Sequence, residues 1–275
     1  MTRIERWIAN PYEIFARYIL RLEKMKELGV EPDAATRGQI IHRVLHEFTR
    51  AFPDSLPGDI EGELTRIANE HFARLDGAPL VAAFWRPHFQ RFARWFAATE
   101  PARRRGVASI LTEADGQLDL AACGGFRLTA RADRIDVAED GAAVIYDYKT
   151  GKPPAPKHVE DLYAPQLSLE AAIAEAGGFE GLKTCEVSGL VYIHVSGRND
   201  GGEERAATTK IAPSMLAAEA LKKLNALIAR YADPNMPYEV KRRSAQAFRS
   251  LYRYDDYEHL ARVKEWLTQE AEEEF

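Results

Sequence analysis

The sequence is poor in cysteine: Cys123 and Cys185 are the only two in 275 residues. Two thiols cannot build a disulfide framework, a four-cysteine zinc site or a four-cysteine iron–sulfur site. A reducing cytoplasm is the simplest setting for such a chain. Long apolar runs are also missing. Nothing approaches the ~18 residues a membrane helix needs, and Met1 to Arg6 contains no apolar region of the signal-peptide kind. Excess positive charge is missing too, with 37 basic residues against 42 acidic and a net charge of -5. That total speaks against a uniformly basic surface for nucleic acid. Four of the carboxylates, however, sit in the tail Glu270-Ala271-Glu272-Glu273-Glu274-Phe275. The remainder is nearly neutral, so local basic clusters matter more than the sum.

The chain reads as helices, then strands, then helices. Trp7, Ile8, Ile14, Phe15, Tyr18 and Ile19 recur at helical spacing, with Asn10 placed to cap a helix that Pro11 opens. A loop at 29–33 follows. Ile40, Ile41, Val44, Leu45 and Phe48 mark a second helix, and Ile60, Leu64, Ile67, His71 and Leu75 a third. Val81, Phe84, Trp85, Phe89, Phe92, Trp95 and Phe96 mark a fourth, whose aromatic stripe reads as core. The period changes near residue 107. Residues 107–120 predict a strand, or a hairpin turning near Asp115-Gly116. Phe126, Leu128, Ala130 and Ala132 alternate with polar residues, and Glu139-Asp140-Gly141 signals a hairpin turn. Residues 142–149 predict a strand buried on both faces. Residues 160–176 predict a helix, 189–196 a strand, 198–204 a polar loop, 221–231 a late helix and 257–269 a terminal one.

The sharpest local feature is Asp147-Tyr148-Lys149-Thr150-Gly151. Residues two apart on a strand share a face, so Asp147 and Lys149 point the same way. A carboxylate and an amine that close an apolar strand are costly unless they serve a site, although a structural ion pair has the same spacing. Asp133 tips the balance. The 139–141 turn lies midway between Asp133 and Asp147, so pairing about it brings the two aspartates close on neighbouring strands. Two carboxylates with a lysine beside them suit a hard cation and a polarising amine. Asp136 lies nearer the turn and reads as a turn or surface residue.

Other features weigh less. His42 and His46 share a helix face, but Arg43 stands where a zinc protease needs glutamate. His42 by itself is as readily a core histidine as a ligand. Gly177 to Thr184 imitates a phosphate loop, yet Leu182 breaks its Gly-Lys-Thr contact, so no ATPase motor is expected. Arg103-Arg104-Arg105, Lys241-Arg242-Arg243 and the loop with Lys149, Lys152 and Lys157 are either solvated surface or a phosphate path to the aspartates.

Four motifs occur in order: Gly38 to His42 (Gly-x-x-x-His), Ala132-Asp133-Arg134-Ile135-Asp136, Asp147 to Gly151, and Pro165-Gln166-Leu167. Together they resemble the RecB-like branch of the PD-(D/E)XK nuclease superfamily, and within it the C-terminal nuclease domains of AddB-type helicase–nucleases. Asn10 to Arg17 resembles the opening segment of those domains and Tyr254 to Val263 their end, so the resemblance covers nearly the whole chain. It implies an α/β, restriction-endonuclease-like fold: a mixed central sheet flanked by helices, with a helical N-terminal part. The expected organisation is a single domain over 1–275, with helices over about 1–100, a sheet core over about 107–196 and a helical closure over about 213–275.

The resemblance also implies a site. His42, Asp133 and Asp147 would coordinate the metal, joined by the backbone carbonyl of Tyr148. Lys149 would orient or activate the attacking water and stabilise charge on the phosphate, and Gln166 would order the site. Mg²⁺ or Mn²⁺ is the expected cofactor. Many relatives clamp an iron–sulfur cluster with four cysteines; here Asn10 stands at the first such position and 237–249 has none, so no cluster is expected. Relatives often carry tyrosine four residues after the glutamine, where this chain has Glu170. The implied activity is exonucleolytic, metal-dependent DNA hydrolysis in double-strand-break repair and recombination. The expected partners are DNA, the rest of an AddB-like chain and an AddA-like helicase subunit, with no membrane. Two rivals stand beside this reading. One is a catalytically silent DNA-binding or scaffolding module, against which intact Asp133, Asp147 and Lys149 speak. The other is a stand-alone CRISPR-associated RecB-like exonuclease, against which the missing cysteines and the AddB-like tail speak.

Overall fold

A computed structural model describes residues 2–23, 25, 32–75, 77–121, 125–198, 200–240, 257 and 259–262. Cys123, Lys241-Arg242-Arg243, the acidic tail and most of the expected terminal helix lie outside the described residues. The helices are α1 (Thr2–Ala9), α2 (Pro11–Ile14, continued by a π-turn over Phe15–Ile19), α3 (Ala34–Ala51), α4 (Ile60–Phe72), α5 (Arg86–Arg103), α6 (Pro156–Glu160), α7 (Gln166–Glu175) and α8 (Pro213–Tyr231). Between α5 and α6 run β1 (Val107–Leu120), β2 (Phe126–Ala138) and β3 (Ala143–Lys149). Between α7 and α8 run β4 (Val187–His194) and β5 (Glu203–Ala206).

The strands form one mixed sheet in the order β1-β2-β3-β4-β5. β3 and β4 are parallel and the other neighbours antiparallel. A parallel pair needs a crossover connection, which α6 and α7 supply. This is the helix-flanked mixed sheet expected from the sequence. Alternation along β3 divides the core in two. Ala143 and Ile145 face Ile4 of α1, Leu167 and Ile173 of α7, and Leu216 and Leu224 of α8. Tyr146 and Tyr148 face the other way, against Val44 and Phe48 of α3, Leu64 of α4, and Phe89 and Phe96 of α5. Of the aromatic stripe of the fourth predicted helix, Trp85, Phe89, Phe92 and Phe96 are core, as their spacing implies, whereas Phe84 is 55% exposed. Eight consecutive residues of α7, Leu167 to Ala174, are buried. A helix apolar all round belongs in an interior, and this one carries Gln166 at its start and Glu170 one turn later.

Three expectations need correction. The turn near Asp115-Gly116 does not form, and β1 pairs with β2 from Ser109↔Val137 to Leu120↔Phe126. Asp115 instead meets Arg131 directly across the ladder, at 2.8 Å. Gly116 leaves room for the Phe179 ring, which a Cβ there would approach to 2.4 Å. Asp-Gly here serves cross-strand and tertiary contacts rather than a turn. Residues 160–176 make the end of α6, a break at 161–165 and then α7; Pro165 disfavours helical backbone at the residue before it. Asp136 is neither a turn nor a surface residue but is 2% exposed. It lies on the same strand face as the fully buried Arg134, which donates to it from Nε at 2.6 Å and Nη2 at 2.8 Å.

Candidate active site

The site gathers at the carboxyl ends of β3 and β4, where open α/β sheets place their crevices. The β2–β3 ladder runs from Val137↔Ala143 to Arg134↔Tyr146 and stops. One further step would set Asp133 opposite Asp147, the relation the turn predicts. There the Tyr148 N–H donates to Asp133 Oδ2 at 2.8 Å. The other carboxylate oxygen of Asp133 lies 3.1 Å from His42 Nδ1.

Helix α3 lies across the strands and delivers His42. Asp33 caps it, accepting from Thr36 N at 2.8 Å. Gly38, His42 and His46 recur every four residues and form one stripe. Gly38 packs against Thr150 so closely that a Cβ would stand 3.3 Å from Thr150 Oγ1. His42 meets Asp133. His46 Nδ1 lies 3.1 Å from Thr112 Oγ1, whose hydroxyl donates to the Asp133 carbonyl at 3.1 Å. His46 therefore buttresses β1 and β2 rather than joining His42 on a metal.

Glu113 is the residue that sequence reasoning missed. Ring nitrogen and carboxylate oxygens of His42, Glu113 and Asp133 all lie within 4.8 Å of one another. One nitrogen and two carboxylates at that separation fit a divalent cation. Glu113 takes φ +50 on a strand, a costly conformation for a residue with a side chain. It is also the one position of β1 between Thr112 and Ala114 that lacks a ladder partner, Asp133 being the residue across from it. Burial, and repulsion from the Asp133 carboxylate, push the Glu113 pKa up.

Asp147 faces the α7 side with Lys149. Lys149 Nζ lies 2.7 Å from Asp147 Oδ2 and 2.9 Å from Oδ1. Gln166 Nε2 donates to Asp147 Oδ1 at 2.6 Å, and Gln166 Oε1 accepts from Lys149 at 3.1 Å. Burial raises the Asp147 pKa; the Lys149 charge opposes this and Asp133 reinforces it. Burial works against the Lys149 ammonium, but Asp147 outweighs it and the pKa rises. For His42, too, burial is overcome by the hydrogen bond and charge of Asp133, leaving the ring above its usual value. Asp147 belongs to an ammonium–amide clasp, while Glu113 joins His42 and Asp133. Tyr148 sends its side chain to the opposite face, edge-on to His42 at 6.1 Å, and burial pushes its phenol up to about 12.

The remaining candidates separate cleanly. Arg103 and Arg104 do not form a phosphate path. Arg104 Nε reaches Glu100 at 2.7 Å and Arg103 pairs with Glu100 and Glu204. Glu100 is fully buried and also holds Arg134 at 2.8 Å. Arg105, Lys152 and Lys157 are exposed. The segment 177–184 follows α7 and leads to β4 with no helix opening on it, so the phosphate-loop likeness has no structural counterpart.

A family model, that of the PD-(D/E)XK nuclease superfamily, matches residues 1–246. An uncharacterized protein of Rickettsia bellii (strain RML369-C) is 27% identical over 274 residues, covering 94% of this chain and 32% of its own length. The uncharacterized protein RT0391 of Rickettsia typhi (strain ATCC VR-144 / Wilmington) is 29% identical over 202 residues, 71% of this chain and 23% of its own. The chain thus spans less than a third of the length of these relatives. The crystal structure of SSO0001 aligns over 83% of this chain and 87% of its own at 11% identity, with a TM-score of 0.30, a likeness too low to carry an argument.

Proposed function

The chain belongs to the PD-(D/E)XK nuclease superfamily, and from that premise we propose that it is a divalent-metal-dependent deoxyribonuclease. The observation that carries this reading is the meeting of His42, Glu113 and Asp133 beside Asp147 and Lys149 at the end of β3 and Gln166 at the start of α7. A divalent cation bound there supplies polarisation of the phosphodiester and acidification of the attacking water. Asp133 is pre-oriented for such a cation by its bond from Tyr148 N–H. Lys149 stays an ammonium, held by Asp147 and Gln166. Its charge is fixed beside the site, where it offsets charge building on the phosphate. The Gln166 amide cannot rotate freely, because its nitrogen serves Asp147 and Glu170 while its oxygen serves Lys149. The Tyr148 carbonyl remains a further candidate ligand.

The finer reading rests on the motif resemblance: Mg²⁺ or Mn²⁺ as the ion, and exonucleolytic digestion in double-strand-break repair and recombination, as the nuclease part of a longer helicase–nuclease acting with an AddA-like subunit in the cytoplasm. No described helix is long and apolar enough to cross a membrane. The test is digestion of linear and circular DNA with Mg²⁺ or Mn²⁺, wild type beside Asp133→Ala and Lys149→Ala. Loss of linear-DNA digestion in both variants supports the assignment. Equal digestion by all three proteins sinks it, and digestion of circular DNA removes the exonuclease reading.

A further inference from the structure

Beside the carboxylate site lies a group of cations on three elements. Arg37, at the start of α3, donates from Nη2 to the Thr150 carbonyl at 3.2 Å, directly after Lys149. Its Nε is buried without a hydrogen-bond partner. His194 is the ladder partner of Lys149. The loop after His194 returns against α5: Arg91 Nε donates to the Gly197 carbonyl at 2.8 Å, and Gly197 packs on His88, which a Cβ there would approach to 2.6 Å. That clasp presents Arg198, an exposed residue, beside His194. No ion pair joins Arg37, Arg91 or Arg198 to a carboxylate among the described residues. Arg205 differs, since Glu203 neutralises it at 2.7 Å.

The electrostatics place these groups together. Burial first, then Arg91 and Arg37, depress the His88 pKa. Burial first, then Arg205, Arg198 and Arg37, depress His194, against an opposing pull from Glu203. Arg37 thus acts on both histidines. Guanidinium groups without a carboxylate partner, gathered beside a fixed ammonium, make a positive field that an anion would relieve. Arginine presents a planar fork suited to phosphate oxygens.

We propose that Arg37, Arg198, His88 and His194 seat the phosphates of the nucleic-acid strand that enters the site, on the β4 side of Lys149. The seat rests on the nuclease reading and adds which face the substrate crosses. Sequence reasoning looked for this path in Arg103-Arg104-Arg105, in Lys241-Arg242-Arg243 and in the loop with Lys149, Lys152 and Lys157; of the first run, Arg103 and Arg104 are spent on Glu100 and Glu204.

The test is binding of a fluorescent 20-nucleotide single strand, and of its duplex, by the whole chain in Ca²⁺ across a salt series. Arg37→Ala and Arg198→Ala are each compared with wild type and with Arg127→Ala, which breaks a surface pair with Asp119 far along β2. The expected result is a Kd about tenfold higher for each site variant and a salt slope smaller by about one. The arm that shifts identifies which form of DNA the seat takes. Arg37→Lys should keep the slope, having kept the charge. Arg198→Ala lies on an exposed loop and serves if Arg37→Ala fails to fold. A wild type that digests DNA while both variants bind like Arg127→Ala overturns the seat alone. A wild type that neither binds nor digests DNA overturns the nuclease reading, and the seat with it.

Discussion

The Tyr148 N–H donates to Asp133 Oδ2 at 2.8 Å, one step beyond the last backbone pair of the β2–β3 ladder. A side chain has taken over a ladder bond, so one oxygen of Asp133 is structural and the other faces His42. The two roles can be separated. In Asp133→Asn the amide oxygen still accepts from Tyr148, so urea unfolding should show little loss while metal-dependent digestion disappears. Asp133→Ala should lose both, with about 1–3 kcal/mol of stability from the orphaned N–H. An asparagine variant that digests DNA normally removes Asp133 from the metal site.

Glu113 sits at φ +50, where glycine is at ease. Strain of this kind costs about 1–3 kcal/mol and is retained where the site needs it. Glu113→Gly should therefore melt no lower than wild type, and by this reasoning higher. Both Glu113→Gly and Glu113→Gln should need at least about tenfold more Mg²⁺ for half-maximal digestion. A metal titration and a thermal melt on the same samples decide it. An unchanged Mg²⁺ requirement would make Glu113 a bystander.

The contrast between Asp133 and Glu113 shows what the sequence carries. Asp133 and Asp147 are related by a short hairpin, and a hairpin's turn fixes its register. Their meeting is legible from three residues, Glu139-Asp140-Gly141. Glu113 faces Asp133 through the β1–β2 register; the turn signal Cys123-Gly124-Gly125 lies midway between them in the sequence, but Asp115-Gly116 offered a competing turn beside Glu113. The buried ion network had a signal that went unused. Glu100 lies three and four residues before Arg103 and Arg104, the helical spacing for ion pairs, and Arg134 and Asp136 are two apart on one strand face. Two arginines of a run read as either surface or phosphate path, Arg103 and Arg104, are partners of one buried glutamate. The Arg37 seat was not legible, because its members come from α3, α5, β4 and the loop after β4 and meet only in the folded chain.

Arg134 is fully buried between Glu100 and Asp136, both of which are nearly solvent-free. Removing one member of such a network leaves buried charge uncompensated, at about 3–5 kcal/mol. Arg134→Met should lose stability on that scale in urea. It should keep the Mg²⁺ requirement of whatever fraction stays folded, since no bond joins Arg134 to Asp147 or Lys149. A loss below 1 kcal/mol would mean that the network contributes little net stability.

Glu170 offers a pH test outside the His42–Glu113–Asp133 group. Its side chain is 1% exposed, its Oε1 accepts from Gln166 Nε2 at 3.2 Å, and its Oε2 has no hydrogen-bond partner. Burial, with Asp147 and Asp133 adding to it, raises its pKa well above the ordinary glutamate value. The sign follows from which state binds the proton. Below the unfolded value, about 4.3, both states carry it and Glu170 adds no pH dependence. Above that value the unfolded chain releases the proton while the native protein holds it. Stability then falls as pH rises, by up to about 1.4 kcal/mol per pH unit, until the native carboxyl also ionises. Glutamine keeps the shape and an acceptor oxygen but has no proton to release. The melting temperature of Glu170→Gln relative to wild type should therefore climb between pH 4.5 and pH 8. A difference that stays flat over that range would show that Glu170 ionises as readily in the native protein as in the unfolded chain.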